Sequence, residues 1–263
     1  MQTIVFANRK GGVGKSTSAI AVAAALAERG ERVVLVDADT NAGIARALGL
    51  GEHHPLSAYD VLVGGTPITE VLIEARPNLF VVPADSRLAL VNHELPALRD
   101  EPWQYRLRDA LEAAGEGMAV IDTPPSLDAL TVLALVAADA VIIPTQLEAA
   151  SLRAVYDTLR SVRKIRGEEG RRGLNPRLGV FGVLPTFAEF RSLHSRELLA
   201  AARDELAPIP LLDPIPMSVR LREATAAGEP IGTYAPRHPA SVAYSALAAS
   251  ILLRVRGAID AAS

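Results

Sequence analysis

Lys10 and Lys15 stand five positions apart in a glycine-rich stretch, Asn8-Arg9-Lys10-Gly11-Gly12-Val13-Gly14-Lys15-Ser16-Thr17. Three lysines occur in the whole chain, the third being Lys164; the rest of its 27 basic side chains are arginines. Against that bias, two lysines in one loop are informative. Lysine carries a compact charge on a flexible stem and arginine a wide planar fork, and a tight phosphate cradle has room for the first. The glycines let backbone N–H groups turn inward around an anion, and a helix N-terminus beyond them adds further donors. In such a cradle, spanning Gly11, Gly12, Val13 and Gly14, Lys15 reaches the β- and γ-phosphates. The Ser16 hydroxyl ligates Mg²⁺, and Thr17 hydrogen-bonds the α-phosphate.

Two acidic segments fit the same chemistry. Asp37-Ala38-Asp39 follows one apolar run, and Asp122-Thr123-Pro124-Pro125-Ser126 follows another. A Mg-nucleotide site needs carboxylates to hold water around the metal and to orient an attacking water. Taken alone, Asp37 and Asp39 also suit a pair of helix N-capping aspartates, and an apolar strand ending in Asp122 is a weak signal. Order and spacing after the glycine loop strengthen both.

These residues need a frame to bring them together. Thr3 to Ala7, Val33 to Asp37, Leu79 to Pro83, Met118 to Asp122, Ala140 to Pro144 and Leu178 to Leu184 read as buried strands. Helical stretches alternate with them, at roughly 16–29, 42–48, 56–63, 86–98, 103–114, 129–136, 148–166, 192–206, 218–226 and 240–256. The expected fold is α/β: a doubly wound, mostly parallel sheet with helices on both faces, as in P-loop NTPases. Asp37, Asp122 and Thr145 then fall at strand ends, on the edge where such sheets bind ligands. No stretch reads as a domain linker, so residues 1–263 are expected to form a single ATPase domain.

Lys-Gly-Gly-Val-Gly-Lys-Ser-Thr, with Arg9 where the general phosphate-loop pattern has glycine, resembles the deviant Walker A motif of the ParA/MinD group of P-loop ATPases. The likeness extends over nearly the whole chain and is strongest in the first 145 residues. It implies that Lys10 is a signature lysine that crosses to the nucleotide of a second subunit, so that ATP builds a sandwich dimer. It implies that Asp39 orients the attacking water, that Asp37 lies in the outer shell of the metal, and that Asp122 binds Mg²⁺ through water. The family often continues with Pro-Gln after the acidic pair; here Thr40-Asn41 follows. Adenine is expected against Pro185-Thr186-Phe187 and Pro214-Ile215-Pro216-Met217, with Met217 where the family often has arginine. Lys10, Lys15 and Asp39 are the candidate catalytic residues, and ATP and Mg²⁺ the ligands.

Composition bounds the partners. The net charge of −3 gives no global attraction to nucleic acid, so DNA binding requires a local patch. By resemblance to the partition branch, Arg191, Arg196, Arg220 and Arg222 are candidates for non-specific DNA contacts; Arg160, Arg163, Lys164 and Arg166 suit the dipole of their own helix end. Absence of cysteine excludes disulfides, thiolate zinc sites and the iron–sulfur relatives of the group. No leader, no DNA-reading domain ahead of the phosphate loop and no stable membrane anchor are expected, and the place expected is cytoplasmic, on the nucleoid. The function implied is partition of a chromosome or plasmid by a ParA-like ATPase, with hydrolysis stimulated by a ParB-like activator. Alternatives are a MinD-type membrane-associated positioning ATPase, for which the last helix lacks aromatics and a sustained basic face; a ParA-like ATPase positioning a protein cargo; and an ATP-dependent metabolic ligase of the same superfamily.

Overall fold

The computed structural model describes residues 1–98, 102–168, 172–188 and 193–260. In chain order the elements are β1 (Gln2–Phe6), α1 (Lys15–Ala27), β2 (Val33–Asp37), α2 (Ile44–Ala47), α3 (Ala58–Leu62), α4 (Ile68–Val71), β3 (Ile73–Arg76) and β4 (Leu79–Val82). There follow α5 (Val91–Ala97), α6 (Arg106–Ala113), β5 (Met118–Asp122), α7 (Ala129–Ala137), β6 (Ala140–Thr145), α8 (Ala149–Arg166) and β7 (Gly179–Pro185). The chain continues with α9 (Leu193–Leu206), α10 (Val219–Ala227), α11 (Ile231–Tyr234) and α12 (Pro239–Asp260). Short 3₁₀ turns at Ser86–Leu90 and Trp103–Tyr105 lead into α5 and α6.

The strands form one sheet in the order β3-β4-β2-β5-β1-β6-β7. Every pairing is parallel except β3 with β4. The chain leaves β1 for β2 on one side and later reaches β6 on the other. That reversal opens the crevice at the carboxyl ends of the central strands.

Strand alternation sorts the apolar side chains onto two cores. Ile4, Phe6, Val33, Leu35, Met118 and Val120 face the layer that contains α1 and α12. Val5, Val34, Val36, Ala119 and Ile121 face the layer of α5, α6, α7 and α8. Asp37 and Asp122 continue the first series, and they are register partners at the ends of β2 and β5. Their carboxylates therefore emerge on the face from which α1 springs.

Four elements differ from the sequence expectation. β3 is a short edge strand antiparallel to β4. Its pattern Ile-Glu-Ala-Arg alternates, and Pro77-Asn78 turns the chain, with Asn78 at φ 65°. α4 and α11 are single turns too short to show a helical period. The expected helix at 42–48 contracts to α2, because Ala42 adopts φ 48° and cannot belong to a right-handed helix. Over its described part α12 is a core helix: Tyr244, Leu247, Ala248, Ile251 and Leu252 are buried. No helix among the described residues is long and apolar enough to cross a membrane.

Candidate functional site

The glycine loop runs from β1 to α1 across the carboxyl edge of the sheet. Gly14 is the residue that requires glycine most clearly: it caps α1 at φ 81°, and a Cβ there would meet the Phe187 ring at 3.2 Å. No side chain caps α1, so its first N–H groups are left for an anion. Two distant residues hold the loop in place. The Asn8 amide donates to the Pro144 carbonyl at 2.6 Å, while its Oδ1 accepts the Lys10 N–H at 3.0 Å. The Thr186 hydroxyl lies 2.9 Å from the Val13 carbonyl and 3.1 Å from that of Thr145.

Lys15 is buried at the foot of the loop, its Nζ 3.5 Å from the Lys10 carbonyl. Burial lowers its pKa, opposed by the charges of Asp122 and Asp39. Asp122 shows the converse. Burial foremost, then the neighbouring Asp37 charge, pushes its pKa far up, and a hydrogen bond from Ser16 opposes the rise. Asp122 Oδ1 is buried with no hydrogen-bond partner. Asp37 is fully buried and raised to about 7, again chiefly by burial. Its oxygens accept backbone N–H groups, Oδ1 from Asp39 at 3.1 Å and Oδ2 from Ile44 at 3.0 Å. Asp37 therefore holds the start of α2 from across the turn, while the N-cap position itself is Gly43.

Asp39 and Asn41 border a cleft of about 310 Å³ together with Gly11, Gly12, Gly14 to Thr17, Pro125 and Phe187. A second cleft, about 260 Å³, opens beside it between Gln146–Glu148, Thr186–Ala188, Leu198–Leu199 and Met217. Phe187 lines both, at φ 53°. Of the expected base-binding positions, Met217 is exposed along the second cleft. Pro185 completes the end of β7, and Pro216 pairs with Ala188 as an extra edge to the sheet. Thr186 spends its hydroxyl on the phosphate loop. Phe187, the last residue of the expected Pro185-Thr186-Phe187 segment, lies between the two clefts.

Lys10 is folded onto its own chain, with Nζ 3.1 Å from Glu148 Oε2 and 2.8 Å from Ser151 Oγ. Ion pairs this exposed contribute at most about 1 kcal/mol, so the contact is easily exchanged. Arg220 pairs with Glu223 at 2.7 Å on the exposed face of α10, where Arg222 is also exposed. Arg191 lies outside the described residues, and so does the side chain of Arg196 in α9.

The residues suit Mg²⁺ held jointly with phosphates. Among the described residues no cluster of three or more His, Asp or Glu exists to bind a metal unaided. Mg²⁺ typically takes one or two protein oxygens and completes its shell with water and phosphate. Ser16 beside the unpartnered Asp122 Oδ1 offers such a pair. Two buried acids with raised pKa values stand next to a buried lysine whose pKa is lowered; a cation beside the acids and a polyanion beside the lysine would each favour the charged form.

The chain is similar to one family model, to two partition proteins and to a solved amide synthase structure. Residues 1–179 match the family described as "AAA domain" (AAA_31). The chain is 38% identical to the chromosome partitioning protein ParA of Caulobacter vibrioides over 262 residues, 97% of this chain and 96% of that one. It is 36% identical to the chromosome-partitioning ATPase Soj of Thermus thermophilus, covering 98% of both. Among solved structures it resembles cobyrinic acid a,c-diamide synthase of Mycobacterium smegmatis with bound ATP analog and magnesium, at TM-score 0.83 and 30% identity, over 97% of this chain and 96% of that one.

Proposed function

The chain belongs to the ParA/Soj family of partition ATPases, and we propose that it acts, as one domain, as an ATP-gated dimer that binds DNA without sequence preference and releases it on hydrolysis. One observation carries this reading: Lys15, Ser16, Asp122 and Asp39 converge on one edge of the sheet, with Lys10 tethered nearby by an exposed ion pair to Glu148 and a hydrogen bond to the hydroxyl of the buried Ser151. Lys15 and the loop N–H groups bind the β- and γ-phosphates of ATP. Ser16, with Asp122 through water, holds Mg²⁺, which supplies positive charge between the phosphates. Asp37 supports this shell while fixing α2. Phe187 and Met217 bracket the base, with Pro185, Thr186 and Pro216 as the backbone that positions them.

Lys10 exchanges Glu148 for the triphosphate of a second copy, which ties dimer formation to ATP. Asp39 orients water for attack on the γ-phosphorus. Pairing brings Arg220 and Arg222 of two protomers together, with Arg191 and Arg196 adding to the patch, so that many weak phosphate contacts act at once. A ParB-like activator accelerates hydrolysis, and the dimer works on the nucleoid in the cytoplasm.

The test is a DNA mobility-shift assay with ATP, with ADP and without nucleotide, run beside liposome sedimentation. DNA retained only with ATP, and weakened steeply by salt, supports the proposal. Equal retention in all three states, or retention on lipid alone, rejects it. The M. smegmatis likeness favours a second reading, an ATP-dependent amide synthase. That reading requires ATP turnover dependent on a small carboxylic acid and indifferent to DNA.

A further inference from the structure

The turn after β2 differs from its surroundings in one respect. Asp39 Oδ1 receives two hydrogen bonds from the same residue, the backbone N–H and the side-chain amide of Asn41, each at 3.0 Å. Among the described residues no hydrogen bond reaches Oδ2. The turn closes with the Ala42 N–H on the Asp39 carbonyl at 3.0 Å, and this places Ala42 at φ 48°. A left-handed alanine costs roughly 1–2 kcal/mol, and such strain persists where surrounding contacts over-determine the backbone. Asn41 is exposed and borders the cleft with Asp39 and Lys15.

We propose that Asn41 is a positioning residue for ATP hydrolysis: by occupying Oδ1 from two directions it fixes the rotation of the Asp39 carboxylate and leaves Oδ2 as the acceptor for the attacking water. This rests on the reading of Asp39 given above. In the step served, the water oxygen bonds to the γ-phosphorus. The bridging bond to the β-phosphate breaks, and its electron pair leaves with ADP. The water proton passes by way of Oδ2 to the released phosphate or to solvent. A carboxylate free to rotate presents Oδ2 correctly for only part of the time, and misorientation of this kind acts on turnover, not on ground-state binding.

The decisive set is Asn41→Ala, Asn41→Asp and Asp39→Ala beside the unaltered chain, each measured for kcat, KM and the affinity of a fluorescent, non-hydrolysable ATP analogue. Asn41→Ala is expected to lower kcat about tenfold and to leave analogue affinity within about twofold. Asn41→Asp places a second carboxylate against Oδ1 and is equally impaired at pH 8. Its kcat relative to the unaltered chain then climbs at least about threefold towards pH 5.5, as the new carboxyl gains the proton it needs to donate. A merely structural role for the turn produces no such pH response. Independently of turnover, the Asn41 side-chain amide resonances of the nucleotide-free protein are expected to shift in Asp39→Ala. An Asn41→Ala variant as fast as the unaltered chain, with Asp39→Ala inactive, overturns this inference alone. Unchanged Asn41 amide resonances, or a parallel loss of analogue affinity, overturn it as well. An active Asp39→Ala removes the reading of Asp39 and this inference with it.

Discussion

Gly228→Ala tests how tightly the nucleotide crevice is joined to the arginine-bearing helix α10. Gly228 caps α10 at φ 71°, and its carbonyl accepts from Arg76 at 3.0 Å. It faces Gly49, which follows α2 at φ 73°. A Cβ on residue 228 would lie 2.9 Å from the Gly49 Cα and 3.1 Å from its N. Both are backbone atoms, so neither can swing aside. The left-handed conformation costs roughly 1–2 kcal/mol for alanine, and overpacking against backbone a further 1–3 kcal/mol or so. Reduced freedom of the unfolded chain returns about 0.4–1 kcal/mol. The expected loss is about 2–4 kcal/mol in urea unfolding at unchanged m-value. Gly65→Ala isolates the backbone contribution, because Gly65 also has φ 71° but has nothing within 4 Å of its Cβ position; its expected loss is only about 1 kcal/mol. Equal losses in the two variants would refute the contact argument. Since α2 starts from the N–H that Asp37 holds, Gly228→Ala is also expected to weaken ATP-dependent DNA retention more than analogue binding.

Lys15→Ala is expected to abolish binding of the fluorescent ATP analogue, and Lys15→Arg to restore little of it, because Lys15 is buried and a wide planar guanidinium replaces its compact ammonium there. Glu148→Ala frees Lys10 from its exposed partner; it should tighten ATP-dependent dimerisation up to about fivefold, the equivalent of a pair worth at most ~1 kcal/mol, whereas Lys10→Ala should retain analogue binding and fail to dimerise in analytical ultracentrifugation. Tyr244, fully buried against Ser18 at 3.0 Å, has its pKa pushed up to about 12 by burial. The unfolded chain ionises this tyrosine near pH 10 and the folded chain does not, so stability is undiminished below pH 10 and falls as pH rises from 10 towards 12. The loss over that window is about 3 kcal/mol, and Tyr244→Phe should flatten the slope in thermal unfolding.

Much of the phosphate site is readable along the chain because its parts are contiguous. A strand, a glycine loop and a helix start occupy residues 2–17, and the acids close apolar runs that announce their own strands. The doubly wound arrangement follows from the same alternation. What was not legible joins residues far apart. Thr186 looks like a base contact by position, yet its hydroxyl bonds a carbonyl 173 residues away. Lys10 meets Glu148 and Ser151 across 138 and 141 positions. β3 leaves no apolar run in the sequence, because an edge strand of four residues buries too little.

Local chemistry is thus written in neighbouring residues: which loop has the make-up of a phosphate cradle, which strands end in carboxylates, and which helix stretches are apolar. Orientation is not, because a side chain's direction depends on whatever packs against it from elsewhere. Asp37 illustrates the division. The residues around it mark it as an acid at a strand end; only the folded sheet sets it beside Asp122, buries it and turns its two oxygens to the N–H groups of Asp39 and Ile44. Burial and hydrogen bonding decide whether such a carboxylate is charged and what it holds, and both are properties of the packed molecule.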